Sequence, residues 1–216
     1  RRVKVAKFDE RGVTVYTDLM GPFEPCIRGT VYDMTVLEGK HGWIETVSLA
    51  DKSAMTTADS ILDTMRDVMN RSNQTLNDIS RCHTDQGNEF KKPFDTVLRE
   101  LSITHTDTGG YNSCVNPVEN AQGRLQQTAR SMLTQATGGH NYYHALRSLV
   151  VSRAAYCLNR TDRDNKPSPY SKAWGKAFVW GPNEHSFGAR CLYKTNNDST
   201  DKYESKGEVG IWAGYN

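Results

Sequence analysis

Long apolar runs, paired cysteines and an excess of charge of one sign are all missing from this sequence of 216 residues. No apolar stretch approaches the roughly 18 residues that a membrane-spanning helix needs, which excludes such a helix. The five cysteines are scattered and include no Cys-x-x-Cys pair. That pattern argues against a zinc knuckle or a disulfide framework and favours an intracellular protein with free thiols. There is no signal peptide and the first residue is Arg1, so we expect a segment of a longer product.

Charge is nearly balanced overall but unevenly distributed along the chain. The totals are 27 Lys+Arg and 25 Asp+Glu, and this balance excludes a disordered polyelectrolyte. Residues 45–107 carry 7 basic and 11 acidic side chains, whereas residues 113–176 carry 9 and 3. An acidic half followed by a basic half predicts a cation site beside a polyanion site. A net charge of +2 is weak for a DNA-binding protein that acts alone, so tight DNA binding would require oligomerisation or flanking segments.

Hydrophobic periodicity predicts one α/β domain with a mixed sheet and crossover helices. Three antiparallel strands come first, followed by an alternation of helices and strands. The predicted strands are residues 13–18, 30–37, 42–49, 78–84 and 102–106, with further strands in 187–215 split by a polar loop at 195–206. The predicted helices are residues 53–70, a helix opened by Pro93, 117–134 and 141–159, with a small-residue loop at 108–115 and a short turn at 170–176.

Three carboxylates fall where this architecture brings chain segments together. Asp18 ends the first predicted strand, Asp85 follows the fourth, and Glu119 lies in the first turn of a helix. If strands one and four are neighbours, their ends adjoin, and ligands of α/β sheets collect at such ends. Carboxylate oxygens are the ligands that Mg²⁺ and Mn²⁺ prefer. Two such ions, about 3.5–4 Å apart, activate a hydroxyl and stabilise the leaving oxygen in phosphodiester displacement.

Each of these positions also has a purely structural interpretation. Asp85-Gln86-Gly87 suits an Asx-turn. Asn116 suits a helix N-cap, with Pro117 at the first helical position and Glu119 at the third, as in a capping box. Residue spacing leaves the catalytic and the structural interpretations open.

Three ordered blocks of the sequence resemble the catalytic blocks of retroviral and retrotransposon integrases. Residues 17–22 (TDLMGP) resemble the first-aspartate block, residues 83–90 (HTDQGNEF) the second, and residues 111–133 the glutamate helix. Further motifs at 158–161, 168–170, 187–188 and 210–215 are similar to the copia-type branch of LTR retrotransposons. The resemblance extends from about residue 13 to residue 216, nearly the whole chain.

The resemblance implies an RNase H-like fold, a five-stranded mixed sheet flanked by helices, with a D,D,E triad at Asp18, Asp85 and Glu119. It divides the chain into a linker (1–12), a catalytic core (13–176) and a small β-rich segment (177–216). It also implies two Mg²⁺ or Mn²⁺ ions held by that triad and strand transfer of element cDNA 3′ ends into target DNA. The implied partners are those DNA molecules and further copies of the chain, and the implied location is the nucleus or a cytoplasmic virus-like particle.

The sequence also departs from the integrase pattern around its glutamate. Asp85 and Glu119 are separated by 33 residues, slightly fewer than is usual. Asn116-Pro117 replaces the family's Asn-Gly, and Asn120 replaces its Arg. A domesticated integrase-fold protein that binds DNA or acts structurally, without catalysis, is therefore the alternative. A cut-and-paste transposase is a third possibility, against which the copia-like C-terminal motifs argue.

Helical geometry and local charge suggest residues that contact DNA. Glu119, Gly123, Gln126 and Arg130 share a polar side of the helix that begins at Pro117. Our proposed DNA-binding residues are Gln126, Arg130, Arg124, Lys91 and Lys92, and the alternative for each is an ordinary solvated side chain. We also expect part of a downstream basic set to contact DNA or a partner subunit: Arg147, Arg153, Arg160, Arg163, Lys166, Lys172 and Lys176.

No zinc is expected within this segment. His140 and His144 have the spacing of half a zinc site, but the other half requires a Cys pair that the sequence lacks. We expect these histidines to pack at a helix start or face solvent, and any zinc module to precede Arg1. Cys82 and His83 are expected to be core residues of the fourth strand.

Overall fold

A five-stranded mixed sheet forms the centre of the computed structural model, which describes residues 12–107, 116–138, 143–163, 165–182, 184–194 and 207–214. Its strands are β1 (Val13–Met20), β2 (Tyr32–Glu38), β3 (Ile44–Leu49), β4 (Ile79–Thr84) and β5 (Thr104–Asp107). They lie in the order β3-β2-β1-β4-β5. The pairs β1–β2 and β2–β3 are antiparallel, whereas β4 runs parallel to both β1 and β5. A separate antiparallel pair is formed by β6 (Arg190–Lys194) and β7 (Gly207–Ile211).

Five α-helices accompany the strands within the described residues, and their ends follow local sequence signals. They are α1 (Ala54–Arg71), α2 (Lys92–Glu100), α3 (Pro117–Thr137), α4 (Tyr143–Arg160) and α5 (Pro169–Trp174). The Ser53 hydroxyl accepts a hydrogen bond from the Thr56 amide and so caps α1. At the C-terminal end of α3, Gly138 has a φ of 61°, the left-handed conformation that glycine adopts without a steric penalty. No helix among the described ranges has the length and apolar character required to cross a membrane.

Two hydrophobic cores lie on opposite faces of the sheet. Alternation in β1 directs Val13 and Val15 to one face, where they join side chains of α1 and α2 such as Ile61 and Phe94. The other face packs against α3 and α4, with residues such as Leu125 and Val150 in its core. The molecule is therefore a helix–sheet–helix sandwich in which α3 lies across the face opposite α1.

The predicted fold class is confirmed, with local differences at element boundaries. β1 continues two residues beyond Asp18, because antiparallel pairing with β2 extends to Met20↔Asp33. The segment predicted as a turn at 170–176 contains α5, which Ser168 caps. The predicted loops at 108–115 and 195–206 lie outside the described residues. The domain boundary at residue 176 stays a prediction.

The outer edge of β3 is partly closed by a side chain of α4. The Asn159 carboxamide accepts a hydrogen bond from the Ile44 amide at 2.9 Å and donates one to the Ile44 carbonyl at 2.7 Å. Both atoms would otherwise be unpaired backbone groups at a sheet edge. The side-chain amide of Asn159 therefore links α4 to β3 through backbone groups that are not paired with β2.

Arg147 is a buried cation that holds the β1–β2 connection against α4. The side chain is fully buried, and its Nε donates to the equally buried Asp33 carboxylate at 2.9 Å. Its two terminal nitrogens donate to the Glu24 and Thr30 carbonyls at 2.7 and 2.6 Å. Each side of the guanidinium fork thus has an acceptor, as a buried charge requires.

Two of the downstream arginines are internal and do not form an outer DNA-binding surface. Arg147 is fully buried, and Arg153 is 7% exposed. Arg153 donates through Nη2 to the Glu184 carboxylate at 2.9 Å. The expectation that part of the basic set contacts DNA or a partner subunit stays a prediction, and the ion pairs of these two arginines lie inside the protein.

Replacing Arg147 with alanine is expected to destabilise the protein by about 3–5 kcal/mol, because Asp33 would remain buried without its partner. The measurement is denaturant unfolding at neutral pH. The matched control is Arg66→Ala, which breaks an exposed ion pair with Asp63 (52% and 79% side-chain exposure) and should cost less than about 1 kcal/mol. Equal effects of the two changes would contradict the assigned role of Arg147.

Candidate active site

The parallel pairing of β1 with β4 brings Asp18 and Asp85 to one edge of the sheet. The register pairs Tyr16 with His83, and each aspartate lies two residues beyond its member of that pair. The rings of Tyr16 and His83 form an edge contact with centroids 5.8 Å apart, so both project from the same face. Side chains two residues apart in a strand share a face. Asp18 is therefore expected beside Asp85, on the side of the sheet that α3 covers.

Glu119 reaches the same region from the first turn of α3. The helix begins after Asn116, whose side-chain oxygen accepts a hydrogen bond from the Val118 amide at 3.3 Å. The predicted N-cap is thus confirmed. A carboxylate in the first turn is favoured by the unpaired amides of the helix N-terminus. Glu119 is exposed, whereas Asp18 and Asp85 are half-buried.

The electrostatics of Asp18 show that these carboxylates are near one another. Burial raises the pKa of Asp18 from its ordinary value of 3.8 to about 6, and the negative charges of Asp85 and Glu119 contribute to the rise. The Leu19 amide, which donates to Asp18 Oδ1 at 2.8 Å, opposes it. Burial is the larger cause and the two neighbouring charges add to it, so a bound cation would favour the charged form of Asp18.

The three carboxylates are electrostatic neighbours, but they do not form a closed set of ligands. Within the part of the chain that the structure describes, no group of three or more His, Cys, Asp or Glu side chains is arranged to hold a metal ion. The donor chemistry nevertheless fits a hard divalent cation, because all three groups supply carboxylate oxygens. Asp18, Asp85 and Glu119 are therefore the side chains that could hold one.

Gln122 also belongs to this site, although the sequence did not identify it as a site residue. It lies one helical turn after Glu119 and is 7% exposed. Its amide is close enough to Asp18 to favour the charged form of that carboxyl, yet Nε2 makes no hydrogen bond of ordinary geometry within the described residues. The spacing of three residues from Glu119 was the signal that could have identified it.

Gln126 and Arg130 continue from this site along α3, as the helical pattern predicted. The Gln126 amide donates to the Met20 sulfur at 3.1 Å, at the end of β1. Arg130 Nη2 donates to Gln126 Oε1 at 3.3 Å and is exposed. A polar row therefore extends outward from the end of β1.

The other three proposed DNA-binding residues lie apart from this row. Lys91 and Lys92 are exposed at the start of α2, and Lys91 Nζ donates to the Asn88 side chain at 2.5 Å. Arg124 lies roughly 140° around α3 from Glu119. Burial, followed by the charge of Arg163, lowers the pKa of Arg124. The structure thus places the five residues in three separate regions.

A chain of hydrogen bonds fixes the backbone at Asp85. The buried Thr84 hydroxyl donates to the Asp85 carbonyl at 2.7 Å and also lies 2.9 Å from His105 Nε2. Which atom donates in the second bond depends on the tautomer of His105. His105 Nδ1 in turn pairs with the Asp95 carboxylate. Asp95, His105 and Thr84 thus form a positioning chain that ends at a proposed catalytic residue.

This acid–imidazole–hydroxyl arrangement is structural rather than nucleophilic. The Thr84 side chain is 0% exposed, so no substrate reaches it. Its proton is used by the Asp85 carbonyl. Asp85 itself accepts a hydrogen bond through Oδ1 from the Gly87 amide at 3.1 Å, which confirms the predicted Asx-turn. Turn formation and a catalytic role for Asp85 are compatible, since its second carboxylate oxygen remains available.

The sequence predicts no catalytic or zinc-binding role for Cys82, His83, His140 and His144. Cys82 is fully buried, as predicted. His83 is half-buried rather than part of the core, because its ring lies beside Thr106 Oγ1 at 2.9 Å on the face that also carries Asp85. His144 is 45% exposed and lies 3.7 Å from the Glu24 carboxylate. His140 lies outside the described residues.

Comparison with solved structures identifies the fold. A chain of the cryo-EM structure of the simian T-cell lymphotropic virus intasome in complex with PP2A regulatory subunit B56 gamma matches with a TM-score of 0.56 and 14% sequence identity. The match covers 92% of this chain and 66% of that chain, so this chain spans just under two thirds of its neighbour. No protein-family model and no curated protein matches the sequence. The chain therefore has an integrase-like fold, consistent with the RNase H-like class.

Replacing Asp18 with asparagine is expected to stabilise the protein at neutral pH. A carboxyl whose pKa is raised on folding binds protons more tightly in the folded state. Its contribution to the free energy of unfolding is therefore largest below about pH 4, falls as the pH rises to about 6 and stays low above it. Asp18→Asn should be more stable than the wild type by about 1–3 kcal/mol at pH 7.5, with no gain near pH 4.

Denaturant unfolding in EDTA at the two pH values measures this difference. The control is Asp63→Asn, which changes a carboxylate that is 79% exposed and should shift stability by less than about 0.5 kcal/mol at either pH. A stability difference between Asp18→Asn and the wild type that does not depend on pH would contradict the assigned electrostatics.

Removing the imidazole of His105 is expected to loosen the backbone at Asp85. His105→Ala leaves the buried Thr84 hydroxyl without its imidazole partner, at a cost of about 1–3 kcal/mol. Amide hydrogen exchange should accelerate in residues 84–90 while exchange in α4 is unchanged. His105→Gln, which keeps a donor toward Thr84, should restore part of the protection. Acceleration spread evenly over the whole sheet would show that His105 has only a general packing role.

Proposed function

We propose that this chain is the catalytic core of a copia-type LTR retrotransposon integrase, which joins cDNA 3′ ends of the element to target DNA. The observation that carries the proposal is the β1–β4 register, which brings Asp18 and Asp85 to one edge of an integrase-like sheet while Glu119 lies in the first turn of α3. The order of the three sequence blocks and the copia-like C-terminal motifs support the same assignment.

The proposed cofactors are two Mg²⁺ or Mn²⁺ ions held by Asp18, Asp85 and Glu119. When bound, such ions supply the Lewis acidity that activates an attacking 3′-hydroxyl and stabilises the leaving oxygen of the target phosphodiester. The chain contributes the placement of the ligands. The β1–β4 register places the two aspartates, the N-cap of α3 places the glutamate, and the positioning chain through His105 holds the backbone at Asp85.

Charged and polar side chains around the carboxylates are the proposed contacts to DNA. Gln126 and Arg130 supply an amide and a guanidinium on the same side of α3 as Glu119. Lys91 and Lys92 follow the loop that begins at Asp85. Arg124 is turned away from this region, so we assign it to a different stretch of DNA. Contacts of this kind position a duplex by its phosphates and do not read its sequence.

The proposed partners are the element's cDNA ends, target DNA and further copies of this chain, with the nucleus as the place of action. The structural neighbour comes from an intasome, which supports an assembly. The net charge of +2 supports it too, because affinity for DNA grows with the number of phosphates a protein neutralises.

Asp85→Asn is expected to reduce strand transfer below detection while DNA binding changes by less than about threefold, since the change removes one proposed metal ligand and no phosphate contact. The assay uses the full chain, short duplexes ending in the terminal sequence of the element, and Mg²⁺ or Mn²⁺. The matched control is Asp107→Asn, because Asp107 is the register partner of Thr84 at the end of the next parallel strand and lies outside the proposed triad. That variant should retain strand transfer.

Two results would overturn this assignment. Strand transfer that survives Asp85→Asn would remove that residue from the chemistry. A wild-type protein that binds the duplex ends but transfers no strand with either metal ion would support the alternative, a domesticated integrase-fold protein that binds DNA without catalysis.

A further inference from the structure

A cavity of about 460 Å³ lies at the β3 side of the molecule and carries an unusual concentration of arginine. Four arginines from three segments line it: Arg28 of the β1–β2 connection, Arg71 at the end of α1, and Arg153 and Arg160 of α4. Glu45 of β3 is the one acidic residue among the lining side chains within the described part of the chain. The lining therefore has a net charge of about +3 near neutral pH.

Two buried donors in this cavity have no acceptor. Arg153 is 93% buried, and its Nη1 makes no hydrogen bond within the described residues. The same holds for Nε of Arg160. Buried polar atoms of folded proteins nearly always have partners, and a charged donor without one is especially costly. Each of these two arginines thus has hydrogen-bonding capacity that the described residues do not use.

The two nearby carboxylates each pair with one of the four arginines. Glu45 accepts hydrogen bonds through Oε1 from Arg71 at 2.9 Å and from the Trp43 indole at 3.0 Å. Glu184 accepts from Arg153 Nη2 at 2.9 Å and from the Tyr156 hydroxyl at 2.7 Å. Arg71 and Arg153 thus each have a carboxylate partner, whereas Arg28 and Arg160 form no ion pair within the described residues.

The arginines are held in place before any ligand arrives. The Arg160 guanidinium lies 3.7 Å from the centroid of the Tyr156 ring and 5.2 Å from that of Phe178. The Arg153 guanidinium lies 4.6 Å from Tyr156 and 4.5 Å from Trp212. Aromatic stacking fixes a guanidinium without using its hydrogen-bond donors. Arg160 uses Nη1 to donate to the Tyr156 carbonyl at 3.1 Å, and Arg153 uses Nη2 to donate to Glu184 and to the His185 carbonyl. The other N–H groups of the two guanidinium groups are the ones left for a ligand.

We propose that this cavity binds a phosphate-bearing anion of small-molecule size. Guanidinium groups recognise phosphate through paired, charge-assisted hydrogen bonds. The volume lies in the range of small-ligand sites, about 300–1,000 Å³. The backbone at Ala213 and Gly214 forms part of the wall, so the site is a cavity rather than the long open groove that tracks a nucleic-acid strand. The inference goes beyond strand transfer and does not depend on it.

The test measures binding of sodium tripolyphosphate to the full chain in EDTA at constant ionic strength, by calorimetry and by thermal shift. The wild type should bind saturably. Arg71→Gln and Arg28→Gln, which change exposed residues of the rim, should each weaken binding by about tenfold or more. The matched control is Arg66→Gln: Arg66 is also on α1 and is 52% exposed, against 53% for Arg71, and each pairs with a carboxylate. This variant should bind as the wild type does.

If Arg66→Gln and Arg71→Gln weaken tripolyphosphate binding equally, the effect is a general loss of positive charge and the proposal is overturned. A second result would also overturn the proposal. If the protein binds duplex DNA through Arg28 and Arg71 but does not bind tripolyphosphate, the cavity is a nucleic-acid site. Asp85→Asn should bind tripolyphosphate normally, so failure of this site and failure of the proposed strand transfer are separable.

Discussion

Parallel hydrogen bonding between β1 and β4 determines where the charged groups of the candidate active site lie. These strands are separated in sequence by β2, β3 and α1, yet their register of Tyr16 with His83 places Asp18 and Asp85 at adjoining positions. A slip of one residue would turn one carboxylate to the opposite face, toward the core formed with α1 and α2. Hydrophobic alternation in β1 prevents that slip, because Val13 and Val15 would then leave their core. The packing of apolar side chains therefore fixes the position of the acidic ones.

The nearness of the carboxylates at the candidate active site lowers the stability of the folded protein. Asp18 is half-buried beside two other carboxylates, and its raised pKa measures the free energy that the folded protein loses by keeping it charged. Neutral side chains would make a more stable sheet edge. Thr84, His105 and Asp95 hold the neighbouring strand end in place despite this repulsion. Local destabilisation of this kind is typical of sites built to bind a ligand of opposite charge.

Strand alternation and helix caps were readable from the sequence, because both depend on residues close together in the chain. Val13 and Val15 marked β1, and Asn116-Pro117 marked the start of α3. Residues whose roles depend on distant partners were not readable. Arg147 looked like a surface cation, yet its acceptors belong to residues more than 110 positions away. Gln122 looked like one polar residue among several on α3. Its spacing of three residues from Glu119 was a weak signal, and its nearness to Asp18 becomes evident in the fold.

The amide of Asn159 has a consequence for how this protein associates with other chains. By bonding both backbone groups of Ile44, it occupies the place that the peptide of an incoming strand would take. Sheet edges left open invite strand addition and, at high concentration, aggregation. The start of β3 is thus protected from edge-to-edge pairing by a residue of α4. Strand addition at this position would first have to displace the Asn159 amide, whereas β5 forms the opposite edge of the sheet.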